Sequence, residues 1–198
     1  REGFEVTLLD VDSDGNIDLK ELEKAIRPDT RLISVIHASN EIGTIQDIKK
    51  IGEICKKKNI VFHVDAVQSF GKILFYPEEY NINLMSISAH KIYGPKGIGA
   101  LYISTGTKLE KTVTGGYQER NRRAGTENVA AIGAFGKAVE IAYSNIHAEY
   151  KKEEELRNYM EELILREIKD VAINGNLSHR LPNISNITFD RASSESIL

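Results

Sequence analysis

An α/β layered domain with a mainly parallel sheet is the fold class that this 198-residue sequence predicts. Two observations carry that prediction. Short β-branched runs alternate along the chain with segments whose apolar residues recur at helical spacing, which is the pattern of a sheet covered by crossover helices. Residues 31–37 are almost continuously apolar, as parallel strands covered on both faces are.

The elements follow in order. Phe4, Val6 and Leu8 alternate with polar residues at the period of a strand. Residues 18–26 read as a short helix started by Asp18, with Glu21 at capping-box spacing. After the strand at residues 31–37, Ile48, Ile51 and Cys55 recur at helical spacing among lysines, and residues 60–64 read as another buried strand. Residues 84–88 and 98–103 add two more. Val129, Ile132, Phe135, Val139, Ala142 and Ile146 mark a long amphipathic helix, and Leu156, Tyr159, Met160, Leu163 and Ile164 mark a second. The charged residues at 149–155 read as a solvated helix face. Residues 171–173 and 184–189 are short strands by composition, and residues 193–198 carry serine caps ahead of apolar residues, the start of a helix. The change from strand–helix alternation to helices followed by strands near Ala148 divides the chain into residues 1–148 and residues 149–198.

Composition excludes several function classes. With 26 basic and 29 acidic side chains and a net charge of -3, no basic footprint for nucleic acid is expected. No apolar run approaches the ~20 residues that a membrane-spanning helix needs, so no membrane partner is expected. Cys55 is the single cysteine, which rules out an intramolecular disulfide framework and suits a reducing compartment, with the cytoplasm as the expected location. The chain opens on Arg1 without a signal peptide and its final helix signal begins where the sequence stops, so it is expected to be an internal piece of a longer protein.

Asp10, Asp12, Asp14, Gly15, Asn16, Asp18 and Glu21 match the twelve-residue EF-hand loop, with oxygen ligands and glycine at the positions that calcium needs. The motif also requires an entering helix, and residues 4–9 are strand-like instead. No metal is expected: the loop reads as an acidic turn into a helix, with Gly15 supplying a positive φ. A non-catalytic calcium-binding module at residues 10–21 is the alternative of another class.

The chemistry gathers after the strand at residues 60–64. The sequence there is His63-Val64-Asp65-Ala66-Val67-Gln68-Ser69, which sets a carboxylate and an amide beyond the carboxyl edge of a buried sheet, where ligands of open α/β sheets bind. The next strand runs into Ser86-Ile87-Ser88-Ala89-His90-Lys91-Ile92-Tyr93-Gly94-Pro95-Lys96-Gly97. An aspartate at one strand end and Ser-Ala-His-Lys at the next can hold a pyridoxal phosphate, with lysine as the Schiff-base amine, carboxylate for the ring nitrogen, and hydroxyl and imidazole for the phosphate.

At these residues the chain resembles the cysteine desulfurases of the class V aminotransferase-like, fold type I pyridoxal phosphate enzymes. Residues 37–43, 63–69, 86–99, 115–120 and 123–128 carry the likeness, and Gly115-Gly116-Tyr117-Gln118-Glu119-Arg120 is wording of the group that supplies sulfur for iron-sulfur clusters. Ser39 stands where that group more often has asparagine. The resemblance implies a three-layer α/β/α large domain over residues 1–148 and the start of a small α+β domain over residues 149–198. It implies that Lys91 bonds the cofactor and moves protons at the substrate α-carbon, that Asp65 keeps the ring nitrogen protonated, and that Gln68 donates to the phenolic oxygen. Asn40 would sit near that oxygen and the substrate carboxylate. Ser88 and His90 would bind the phosphate, with Ala89 leaving room for it, and Thr126 would reach the phosphate of a partner subunit in a homodimer. Structural alternatives stay open: a capping aspartate at 65, turn amides at 40 and 68, and a helix N-cap at Thr126. His37 is assigned to packing, and His147 and His179 to the surface.

The implied reaction converts L-cysteine to L-alanine and passes the sulfur to an iron-sulfur scaffold or another acceptor protein. A selenocysteine lyase or an aminotransferase of the same fold is the alternative among enzymes. The family's nucleophilic cysteine and its substrate-binding arginine have no counterpart in this chain, nor has the early segment that stacks a histidine on the ring. Cys55 lies on an apolar helix stripe, so the chain by itself is expected to be inactive.

Overall fold

The computed structural model describes residues 3–197. Its main sheet has four strands in the spatial order β1 (Leu32–Ile36), β2 (Val61–Asp65), β3 (Leu84–Ser88) and β4 (Gly99–Ile103). β1 and β2 pair in parallel, β2 and β3 pair in parallel, and β4 returns antiparallel against β3. The α/β class with a mainly parallel sheet is thus formed.

A parallel pair needs a crossover. Between β1 and β2 it is α2 (Ile48–Lys58), started by Asp47, whose carboxylate accepts the Lys50 N–H at 3.1 Å, and ended by Asn59 in the left-handed conformation. Ile48, Ile51 and Cys55 face inward and meet Ile33, Val35, Phe62 and Val64 of the sheet. A β-carbon at Gly52 would collide with the main-chain oxygen of Tyr80, so α2 lies against the segment before β3 only because that position has no side chain. α1 (Leu19–Ala25) begins at Asp18 as expected: its carboxylate accepts the N–H groups of Lys20 and Glu21 at 2.7 and 3.4 Å. Glu21 turns to Lys24 at 2.7 Å instead of completing the capping box.

Several expectations are corrected. Phe4, Val6 and Leu8 form no strand and lie exposed, because no described strand pairs with them and period two alone supplies no ladder. β1 is not covered on both faces: Ile33 and Val35 are buried, whereas Leu32 and Ile36 are exposed on the face opposite α2. The first long helix ends early. α3 (Gln118–Asn121) is a short turn, α4 (Val129–Ser144) stops at Asn145, and Ile146 opens α5 (Ile146–Glu167). Phe135 and Ala138 of α4 do face inward, against Ala89 and Ile92.

The burial of α5 is the reverse of its sequence pattern. Leu156, Tyr159 and Met160 are exposed, and Arg157 and Glu161 are buried at 8% and 5% of their free surface. Hydrogen bonding explains the inversion. Arg180 grips Glu161 with two bonds of 2.8 and 2.6 Å, Ser185 Oγ donates to Glu161 at 2.7 Å, and Arg157 donates to the Leu181 carbonyl at 2.8 Å. A buried charge is tolerated when it is paired in this way. The network ties α5 to the segment ahead of β6, where β5 (Val171–Ile173) and β6 (Ile187–Phe189) pair antiparallel. That segment also bonds to the loop after β1, through Leu181 N–H to Gly43 and Ile45 N–H to His179. α6 (Ser194–Ile197) closes the described chain, and Leu198 of the expected final helix lies outside the described residues.

No helix follows from residue 4 into the acidic loop, which is a tight turn bridged by Val11 and Ile17. Asp12 Oδ1 accepts the N–H groups of Asp14 and Asn16 at 3.0 and 2.8 Å, and Gly15 has φ +82°. These bonds hold the Asp12 carboxyl below its usual range. No described helix is long and apolar enough to cross a membrane.

Two expected outcomes follow from this architecture. Burial pushes the Glu161 carboxyl upward, but its bonds from Arg180 and Ser185 and the two arginine charges outweigh burial and hold it below the usual glutamate value. Its contribution to stability is therefore complete above that usual value and is lost as pH falls through the lower folded one. Glu161→Ala should cost about 3–5 kcal/mol, since it strands a buried arginine; an unchanged urea midpoint would contradict the network. Calcium titration should reveal no saturable site at residues 10–21, and calorimetric binding tighter than about 1 mM, the weak end of the EF-hand range, would contradict that.

Candidate active site

Because β1, β2 and β3 run parallel, the loops that leave their carboxyl ends share one edge. Asn40 lies exposed in the turn after β1. Asp65 is the last residue of β2, opposite Ile36 on one side and Ser86 on the other. Gln68 follows in the turn after β2, half-buried. Ser88 ends β3, and Ala89, His90 and Lys91 lie on the 3-10 turn Ala89–Ile92.

That turn is shaped by its buried ends. Ala89 and Ile92 are buried and meet Phe135 and Ala138 of α4, which leaves His90 exposed and Lys91 half-buried. Tyr93 ends the turn at φ +62° with its ring in solvent. Ser88 Oγ and His90 Nδ1 are 2.7 Å apart, so hydroxyl and imidazole are already joined. Asp65 Oδ1 accepts the Val67 N–H at 3.0 Å, which means that one carboxylate oxygen caps the turn that carries Gln68.

Behind the edge, His63 links three strands. Its Nδ1 lies 2.8 Å from Ser34 Oγ of β1 and its Nε2 lies 2.9 Å from Ser86 Oγ of β3. Burial pushes His63 below the usual imidazole value, and the neighbouring Asp65 charge opposes it. Sequence reasoning quoted His63 in its motif and gave it no role, although period two puts it on the same face as Asp65. His37 is a packing residue. It is buried, with Nδ1 2.8 Å from Ser69 Oγ and its ring edge-on to Phe75, and burial, helped by His179, pushes it down to about 4.

Thr126 is not drawn to this edge within the chain; it lies exposed in the loop before α4. Nor does it cap that helix. Asn128 does, through Oδ1 accepting the Ala131 N–H at 3.2 Å, because α4 begins only at Val129. The preceding Gln118–Asn121 turn holds Glu119, Arg120 and Asn121 at φ +50°, +55° and +61°, a left-handed run rare for residues with side chains. Cys55 sits inside α2, and burial pushes its thiol up to about 12.

Comparison with known proteins fits this arrangement. The aminotransferase class-V family model matches residues 1–198. The chain is 50% identical over 196 residues to a cysteine desulfurase IscS of Dictyoglomus turgidum and 48% identical over 200 residues to one of Clostridium botulinum. These alignments cover 99% and 100% of this chain and 50% of each relative, so the chain spans about half the length of the curated relatives it matches. Among solved structures, a NifS-like protein superposes with a TM-score of 0.94 at 39% identity, covering 98% of this chain and 53% of the other. DndA from Streptomyces lividans superposes at 0.88 with 31% identity, covering 98% and 56%. A match across the whole chain means that the chain belongs to the class-V aminotransferase family.

Proposed function

We propose that this chain is the cofactor-binding core of a pyridoxal-phosphate-dependent cysteine desulfurase. One observation carries the reading: parallel pairing of β2 and β3 sets Asp65 and the Ser88–Lys91 run at adjacent positions on one sheet edge. The donor set there suits pyridoxal phosphate, offering an amine, a carboxylate, an amide, a hydroxyl and an imidazole. Ala89, whose side chain is buried against α4, would leave room for the phosphate between Ser88 and His90. When bound, the cofactor supplies an electron sink for the α-carbon of an amino acid.

The residues divide the work. Lys91 Nζ would hold the cofactor and would carry the proton at the substrate α-carbon. Asp65 would set its carboxylate against the ring nitrogen and so hold the proton there. Gln68 would donate to the phenolic oxygen, and Asn40 would lie by that oxygen and the substrate carboxylate. Ser88 and His90, already 2.7 Å apart, would hold the phosphate, and Thr126 would serve the phosphate of the partner subunit in a homodimer. The substrate is L-cysteine. An enzyme thiol takes its sulfur as a persulfide and leaves L-alanine, and an iron-sulfur scaffold or another acceptor protein then receives that sulfur. Cys55 is not that thiol: buried in α2 with its thiol pushed up to about 12, it forms too little thiolate. The reading places residues 1–148 in a large domain and residues 149–198 at the start of a small one, in a reducing, cytoplasmic setting.

Two experiments on the full-length parent protein test it. After loading with pyridoxal phosphate and borohydride reduction, the added mass should lie on the peptide containing Lys91; a label on Lys96, or none, would overturn the assignment. Asp65→Asn should lower sulfide and alanine release by orders of magnitude while the protein stays folded, through loss of a charge-assisted bond worth roughly 1.5–3 kcal/mol and of the charge that retains the ring proton. Wild-type turnover in that variant would make Asp65 a turn residue only.

A further inference from the structure

The turn after β2 and the turn after β3 belong to different parts of the sequence, yet one side chain spans them. Lys72 Nζ donates to the main-chain oxygen of Gln68 at 3.3 Å and to the main-chain oxygen of Lys91 at 3.2 Å. Both acceptors belong to residues of the proposed cofactor site. The side chain is half-buried, which disfavours its charge, and the Lys91 charge disfavours it further, while Glu153 of α5 favours it. A lysine that only solubilised the surface would have no reason to occupy this position.

Packing independently fixes the same approach. Gly71, the residue before Lys72, has φ +74°, and a β-carbon on it would stand 2.7 Å from Ile92 Cγ2 at the end of the 3-10 turn. The absence of a side chain at Gly71 lets the two turns touch, and that contact brings Lys72 Nζ within reach of the Lys91 carbonyl. Phe70, one residue earlier, stands edge-on to Tyr143 of α4 with ring centres 5.5 Å apart, so the same turn is also anchored on its far side.

We infer that Lys72 is a positioning residue, which staples the backbone of Lys91 to that of Gln68 and so sets the direction from which Lys91 Nζ meets the cofactor. This rests on the cofactor reading above. The role requires no contact of Lys72 with substrate or cofactor: its ammonium holds two carbonyls, and the side chains of Gln68 and Lys91 depart from the peptides it fixes. Pre-organisation of this kind lowers the ordering cost of binding.

The test uses the full-length parent protein with Lys72→Met and Lys72→Arg. Lys72→Met should weaken equilibrium binding of pyridoxal phosphate by about 10- to 100-fold, the size expected for hydrogen bonds from a charged donor. After borohydride reduction it should also scatter the label from Lys91 onto other lysines. Lys72→Arg, which keeps charge and donors, should restore most of both. In the cofactor-free protein, hydrogen exchange at residues 66–73 and 89–94 should quicken in Lys72→Met and not in Lys72→Arg. A purely structural lysine would move the unfolding midpoint without scattering the label. Wild-type affinity, labelling and exchange in Lys72→Met would overturn the inference; should that variant not fold, Lys72→Gln is read by the same criteria. A wild-type protein that takes up no cofactor would sink the reading beneath, and unchanged exchange would sink the staple alone.

Discussion

Every candidate functional group except Thr126 depends on three neighbouring strands ending at the same edge. Parallel pairing of β1, β2 and β3 imposes this, since strands that run the same way deliver their following loops to the same side. The bonds from His63 to Ser34 and Ser86 reinforce that alignment crosswise, by adding a side-chain link to the main-chain ladder. A neutral imidazole donates through one nitrogen and accepts through the other, so a single ring can satisfy a hydroxyl on each side. Burial, by disfavouring the charged ring, keeps His63 suited to that role. One slip of β2 would take Asp65 to the opposite face and break both bonds at once.

Charge around the edge is sorted by depth. His37, sunk against Phe75, is held neutral at ordinary pH. Lys72 keeps two carbonyls and a nearby carboxylate on α5 as compensation for its partial burial. Arg157, Arg180 and Glu161 lie deeper in the second part of the chain, where Arg180 Nε is the one buried side-chain polar atom without a partner among the described residues. Asn40 and His90, exposed at this edge, lie where a bound molecule would arrive from solvent.

Strands and motifs were the legible part of the sequence. β2, β3 and β4 stand within a residue of where their apolar runs place them, and Asp18 begins α1 as its spacing implies. Asp65 and Lys91 stand at the strand ends where their motifs place them, because each motif is written contiguously on either side of a single strand end. What failed had its cause outside the segment being read. Phe4, Val6 and Leu8 had the right period and no partner. Leu156, Tyr159 and Met160 had helical spacing, but the inward face of α5 was decided by Arg180, 19 positions beyond the Glu161 it grips. Thr126 has an N-cap side chain, yet Asn128 stands closer to the first helical turn and takes the bond. Lys72 was invisible because main-chain carbonyls, its hydrogen-bond partners among the described residues, have no signature in sequence.

The burial of Cys55 has a practical side. Thiol-selective reagents react with the thiolate, and a side chain enclosed in α2 with its acidity suppressed offers almost none of it. The chain therefore comes with a silent cysteine background. A second cysteine placed at an exposed ring, for instance Tyr93→Cys beside the 3-10 turn or Tyr117→Cys beside the left-handed turn, would be the sole reactive thiol in the chain, and a fluorophore or spin label attached there would report local movement from one known point.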